Sequence, residues 1–183
     1  MDIIDLNEKY KQTYLVCLEN WSDEMKEAGD HKSNWYDEMK NKGLGVKLAI
    51  EMDQVVGMIQ YLPIEYSFIE GENLYFIMCI WVHGYKEGVG NYQKRGIGKA
   101  LLKVAEEEAK SKGGKGMVAW GLSLPFWMKA KWFKKNGYTK VDKQGMQILL
   151  WKPFTENAIP PKWIIQKKKP NKIQEKVKNN CIH

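Results

Sequence analysis

Hydrophobic and polar positions change period several times along the chain. Residues 5–43 read as helical: Asp5 and Glu8 stand at capping-box spacing, and Leu6, Tyr10, Thr13, Tyr14, Cys17 and Leu18 recur every three to four residues. Trp21, Met25, Trp35 and Met39 carry the pattern into a second and a third helical piece. After Gly43-Leu44-Gly45 the period shortens. Residues 46–50 and 55–62 are strand-like runs on either side of Met52-Asp53-Gln54, which predicts a hairpin. Residues 74–82 are almost unbroken in apolar, aromatic and β-branched side chains, the pattern of a central strand buried on both faces.

A glycine-rich loop follows, with Gly84, Gly88, Gly90, Gly96 and Gly98. From 97 to 112, Ile97, Ala100, Leu101, Val104, Ala105 and Ala109 mark one face of a helix. Lys103/Glu107, Glu106/Lys110 and Glu108/Lys112 sit at i,i+4 spacing, and Gly113-Gly114 ends the pattern. Residues 116–120 predict a short strand, 126–136 an aromatic-rich helix closed by Gly137, and 138–141 with 146–151 a closing hairpin. From Thr155, Pro160, Pro161, Pro170 and many lysines appear without an apolar period. The expected organisation is one domain over 1–154 and a lysine- and proline-rich extension over 155–183.

Composition narrows the class. With 183 residues, 44 % of them apolar, the chain is long enough for one well-covered core. The first residues are acidic, and no apolar run approaches the roughly 18 residues of a membrane span, so a soluble, cytoplasmic protein with no membrane partner is expected. Cys17, Cys79 and Cys181 are too far apart for a ligand cluster and odd in number, which argues against a disulfide framework and against a metal site. Charge is divided unevenly: residues 1–80 hold 7 lysines against 15 acidic residues, whereas residues 81–183 hold 22 basic against 7 acidic. An anionic partner is therefore expected on the second half.

The order strand, glycine loop, amphipathic helix places unpaired backbone N–H groups and the positive end of a helix dipole where phosphate oxygens bind. Glycines at 96 and 98 permit close approach, and Lys94, Arg95 and Lys99 add attraction. Two nucleotide motifs do not fit. A Walker loop ends in Gly-Lys-Ser/Thr, but Ala100 follows Gly98-Lys99; a dinucleotide fingerprint needs a third glycine where Leu101 stands.

Gln93-Lys94-Arg95-Gly96-Ile97-Gly98, followed by Lys99-Ala100-Leu101-Leu102, resembles the Gln/Arg-x-x-Gly-x-Gly/Ala signature of the GNAT superfamily of N-acetyltransferases. Residues 132–138, Trp-Phe-Lys-Lys-Asn-Gly-Tyr, are similar to the family's second conserved segment, and the likeness covers about residues 46–151. It implies an α/β (α+β) GNAT fold, a mixed and mostly antiparallel sheet flanked by helices. Its fourth and fifth strands, here 74–82 and 116–120, would splay to hold coenzyme A. It implies acetyl-coenzyme A as cosubstrate, with Ile80 and Val82 offering backbone groups to pantetheine and the 93–98 amides holding the pyrophosphate. Phe133 would line the thioester end, and the helices within 5–43 would lie on the acceptor side.

This chain departs from the family at three points. Phe133 stands where many relatives carry a proton-donating tyrosine, Phe126 where an asparagine is frequent, and the loop between Val82 and Gln93 is longer. His83 is then a candidate general base, since an imidazole exchanges protons near neutral pH; the competing reading is an exposed loop histidine. Cys79 reads as a core residue rather than a nucleophile. Tyr75, Tyr92 and Tyr138 are candidate proton donors with equally good packing roles. Trp120, Trp127, Trp132 and Trp151 suggest core filling ahead of an acceptor pocket, while Trp21, Trp35 and Tyr36 are candidate substrate contacts.

The expected activity is that of an acyltransferase moving an acetyl group from acetyl-coenzyme A directly to an amine, with the acidic first half favouring a cationic acceptor and no metal involved. Two alternatives remain at this stage: a coenzyme A sensor without turnover, suggested by Phe133, and a tail of Lys162, Lys167, Lys168, Lys169, Lys172, Lys176 and Lys178 that binds nucleic acid or protein. A solvated extension is preferred to the latter. A homodimer is compatible with the pattern, and the acceptor and acyl length are not legible in it.

Overall fold

The chain opens on a strand where the pattern predicts a helix cap. A computed structural model describes residues 1–18, 23–123 and 128–164, with 23–30 as backbone only. In it Asp2–Asp5 form β1, which pairs antiparallel with β2, Gly45–Glu51, from Asp2↔Ile50 to Asp5↔Lys47. The capping-box reading of Asp5 and Glu8 is thereby corrected. The Asp5 carboxylate accepts from Lys47 Nζ at 2.5 Å, and α1, Glu8–Leu15, begins after Asn7 without a side-chain cap. The second and third helical pieces are a single helix, α2, Asp23–Met39, continued by a 3-10 turn at Lys40–Lys42 and ended by Gly43 in left-handed backbone.

β3, Gln54–Pro63, follows β2 after only Met52 and Asp53, both at positive φ (48° and 62°). Two left-handed residues match the twist of a tight hairpin, which the apolar pattern predicts at this point. Next come a 3-10 turn at Ile64–Tyr66, β4 (Ile69–Glu70), β5 (Leu74–Val82), α3 (Ile97–Ser111) and β6 (Gly116–Leu122). The chain continues through α4 (Ala130–Lys135), β7 (Thr139–Gln144), β8 (Gln147–Pro153) and β9 (Lys162–Trp163). The helix predicted over 126–136 starts only at Ala130 within the described residues, because Met128 takes φ 48° and Lys129 is extended; 126 and 127 lie outside them.

Seven strands hydrogen-bond in the order β1-β2-β3-β5-β6-β8-β7, and β4 pairs with β9 in a second sheet. β5 and β6 are parallel, in register at Leu74↔Gly116, Tyr75↔Met117 and Phe76↔Val118, with α3 as the crossover that a parallel pair requires. β6 pairs antiparallel with β8 over seven rows, and β8 with β7, where Val141 is the extra residue of a bulge between Lys140 and Asp142.

Two compact units divide the chain. The first comprises Met1–Gln60 with Cys79–Ala105. Its core includes Tyr14, Trp35, Met39, Leu48, Val56, Ile59 and Leu101, all essentially inaccessible. Two buried polar side chains here are hydrogen-bonded: the Tyr14 hydroxyl donates to Gln60 Oε1 at 2.8 Å, and Lys32 Nζ donates to the Tyr14 carbonyl at 2.5 Å. The second unit comprises Tyr61–Met78 with the described residues from Glu106 onward. Leu62, Phe76, Ile77, Met117, Val118, Phe133 and Leu149 form its interior. The stretch after Thr155 contributes to it, for Trp163 is 6 % exposed and stacks on Phe68 with ring centroids 6.0 Å apart and planes 11° from parallel.

Candidate functional site

β5 is buried from Phe76 to Cys79 and becomes half-buried at Ile80, Trp81 and Val82, so its last backbone groups approach the surface. His83 comes next and is 0 % exposed. Its N–H donates to the Val56 carbonyl at 2.9 Å, its carbonyl accepts from the Tyr92 N–H at 2.8 Å, and its Nδ1 lies 2.5 Å from the Gly90 carbonyl. A carbonyl oxygen only accepts, so Nδ1 carries the proton. The reading of His83 as an exposed loop histidine is corrected by this burial.

The signature then unfolds in order. The Gln93 side-chain amide donates to the Val82 carbonyl at 3.3 Å, and the Gln93 N–H donates to Asn91 Oδ1 at 2.9 Å. Lys94 and Gly96 are left-handed, at φ 64° and 82°, on either side of Arg95. Such alternation turns neighbouring N–H groups toward one side and forms a concave anion nest. A Cβ built on Gly96 meets nothing within 4 Å, so the space above this glycine is open. Its carbonyl accepts from Ala100 N–H at 3.0 Å, the first turn of α3.

α3 runs for 15 residues and has no acidic side chain in its first turn, leaving the positive end of the helix dipole without a local counter-charge. Lys94, Arg95 and Lys99 are exposed around it. Arg95 lies 4.6 Å from the centre of the Tyr92 ring and 3.9 Å from Glu51 Oε1. Open space at Gly96, a helix N-terminus and three exposed cations make a cradle suited to a diphosphate.

Ile97, inside the signature, points into the core and is buried. It seats the start of α3 against Gly57 of β3, where an added Cβ would come within 3.1 Å of the Trp81 carbonyl, 3.2 Å of Leu101 Cδ1 and 3.3 Å of Ile97 Cγ2. Gly57 is thus a supporting residue that the sequence reading passes over. Its signal is a glycine inside an apolar strand run, which marks close approach of another element.

The other candidates are distributed as follows. Phe133 lies in the second unit, 1 % exposed, edge-on to Trp132 and Tyr138 at 5.1 and 5.4 Å. Tyr138, beside it, is buried; burial first and Glu106 second push its phenol well above the usual value. Burial also raises the Tyr75 phenol. Cys79 is buried in β5, as a core residue should be, and Trp35, Trp120 and Trp151 are buried too. Tyr36 is half-buried against Tyr14, with Lys11 and Lys40 near its ring. Trp21, Phe126, Trp127, Cys181 and the lysines from 167 to 178 lie outside the described residues. Among the described residues no three or more His, Cys, Asp or Glu side chains are grouped to hold a metal ion, and no helix is long and apolar enough to cross a membrane.

The acidic excess of the first half is partly answered locally. Asp37 pairs with Lys40 at 2.7 Å, Glu38 with Lys42 at 2.9 Å, and Asp53 with Lys9.

Comparison with solved structures finds the same fold in acetyltransferases. An aminoglycoside 6'-acetyltransferase type Ii superposes with a TM-score of 0.63 at 21 % identity, covering 86 % of this chain and 99 % of its own. The PaiA N-acetyltransferase from Thermoplasma acidophilum, solved in complex with coenzyme A, gives 0.60 at 19 % identity over 84 % of this chain and 100 % of its own. A ribosomal-protein-alanine N-acetyltransferase from Brucella melitensis gives 0.62 at 17 % identity, over 84 % and 100 %. A sequence comparison with curated proteins finds no match. The sequence model of the acetyltransferase (GNAT) family matches residues 3–125, from β1 through α3 and β6, and the chain therefore belongs to the GNAT acetyltransferase family.

Proposed function

We propose that this protein transfers an acetyl group from acetyl-coenzyme A directly to an amine. The observation that carries the reading is the open nest at Lys94 and Gly96, set at the N-terminus of α3 among Lys94, Arg95 and Lys99. Backbone amides of 94–98 hold the pyrophosphate, the Gln93 N–H being taken by Asn91, and Ile97 keeps that loop seated on Gly57. Ile80 and Val82 offer main-chain groups to the pantetheine arm, with the Val82 carbonyl already accepting from Gln93. Acetyl-coenzyme A, when bound, supplies the activated thioester.

Phe133 has no proton to give, so the reaction relies on holding amine and thioester together, an effect worth about 7–11 kcal/mol at its largest. The excess of acidic residues in the first half favours a cationic acceptor, a small molecule or a protein amine. Release of free thiol from acetyl-coenzyme A, measured against matched neutral and cationic amines, tests the reading. Amine-dependent release, faster for cationic amines, supports it. Equal rates for both classes would remove the charge argument, and thiol release absent with every amine would sink the transferase assignment.

A further inference from the structure

One side chain closes the long loop that leads into the signature. His83 uses both backbone polar groups and a ring nitrogen, bonding Val56 in β3, Tyr92 at the far end of the loop and Gly90 between them. Its ring is inaccessible and stands edge-on to Tyr85 at 6.0 Å. By contrast Tyr85, Lys86, Glu87 and Gly88 are exposed, and Gly88 and Gly90 take left-handed backbone. A loop of this kind has many conformations of similar energy, and joining its ends costs entropy. Were it free, residues 93–96 would form the nest only part of the time, and apparent affinity falls in proportion to the populated fraction.

We infer that His83 is a positioning residue for the phosphate loop: its Nδ1–H fastens the Gly90 carbonyl, so that Asn91 to Gly96 leaves β5 in one conformation and the anion meets a nest already formed. This rests on the coenzyme reading given above. His83 acts through Gly90 and the main chain, and touches neither coenzyme nor reacting atoms.

Three substitutions separate this role from others. Asparagine carries its amide nitrogen on Cγ, where histidine carries Nδ1; glutamine places it nearer the Nε2 position; leucine has no donor. His83→Leu and His83→Gln should raise the Kd for coenzyme A and the KM for acetyl-coenzyme A roughly three- to tenfold, the effect of one lost hydrogen bond, with kcat at saturation little changed. His83→Asn should restore both to within about twofold. Amide exchange without coenzyme should find the Tyr92 N–H protected in the unaltered protein and in His83→Asn, and faster in His83→Leu.

The inference is overturned by equal Kd in all three variants, or by a fall in kcat with unchanged Kd in His83→Asn, which would make His83 a base. Should His83→Leu fail to fold, the unaltered protein still decides: a Tyr92 amide exchanging as fast as those of Glu87 and Gly88 refutes the lock. A protected Tyr92 amide in a chain that binds no coenzyme would overturn the coenzyme reading instead, and His83's role in it, while the lock itself stood.

Discussion

The Tyr138 hydroxyl donates a hydrogen bond to Glu106 Oε1 at 3.0 Å, and Lys152 Nζ holds the other oxygen of that carboxylate at 2.7 Å. Glu106 belongs to α3, Tyr138 follows α4 and Lys152 lies on β8, so one buried carboxylate ties three elements of the second unit. Tyr138→Phe removes a hydrogen bond to a charged group and should cost about 1.5–3 kcal/mol in urea unfolding.

The same phenol makes stability depend on pH. Burial, then Glu106, raises its folded value, so the unfolded chain gives up the proton first as pH rises. The contribution is complete below the unfolded phenol's value of about 10 and is lost as pH climbs from there through the raised folded value. The urea midpoint should therefore fall more steeply above about pH 10 in the unaltered protein than in Tyr138→Phe. Parallel curves would show that Tyr138 ionises as readily when folded.

Gly96→Ala separates folding from binding. The new methyl meets no protein atom within 4 Å, so the folding cost is limited to left-handed backbone, about 1–2 kcal/mol. The methyl nevertheless occupies the open side of the nest, where a phosphate must come close. Coenzyme A affinity should fall by more than the tenfold that corresponds to about 1.4 kcal/mol, while the protein stays folded by circular dichroism. Unchanged affinity would place the diphosphate elsewhere.

Gly57→Val should act in the opposite proportion. Its branched side chain collides with the Trp81 carbonyl, Leu101 and Ile97, and overpacking of this kind costs about 1–3 kcal/mol. Thermal unfolding measures it. Coenzyme affinity should drop as well, because the start of α3 must move off β3; a variant with normal stability would mean that the contact has room to relax.

Trp163→Ala tests whether the chain beyond Thr155 belongs to the folded unit. Removing a buried indole stacked on Phe68 should cost about 3 kcal/mol, the lower end for large aromatic truncations because the site lies on a two-strand sheet. A loss under about 0.5 kcal/mol, as for a surface substitution, would mark the contact as incidental.

What the sequence reveals follows the length and regularity of each signal. β5 and α3 are long and strictly patterned, nine apolar-rich residues and fifteen with one apolar face, and both appear within a residue of their expected ends. The nest was legible because glycines at fixed offsets before a helix have a physical purpose. β1 was not: Asp-Ile-Ile-Asp is four residues long, shows no alternation, and its second aspartate mimics a cap. β4 and β9 hold two residues each and owe their pairing to Phe68 and Trp163, which no local period announces. Burial of His83 was hidden for a similar reason, since a polar residue beside Gly84 reads as loop until the carbonyl of Gly90 is brought to its ring.

The most direct test is calorimetric titration of the protein with acetyl-coenzyme A at two salt concentrations. One saturable site, weakened as salt screens Lys94, Arg95 and Lys99, is the predicted result. No heat and no saturation at either concentration would contradict the claim that the loop from Gln93 to Gly98 holds the coenzyme's diphosphate.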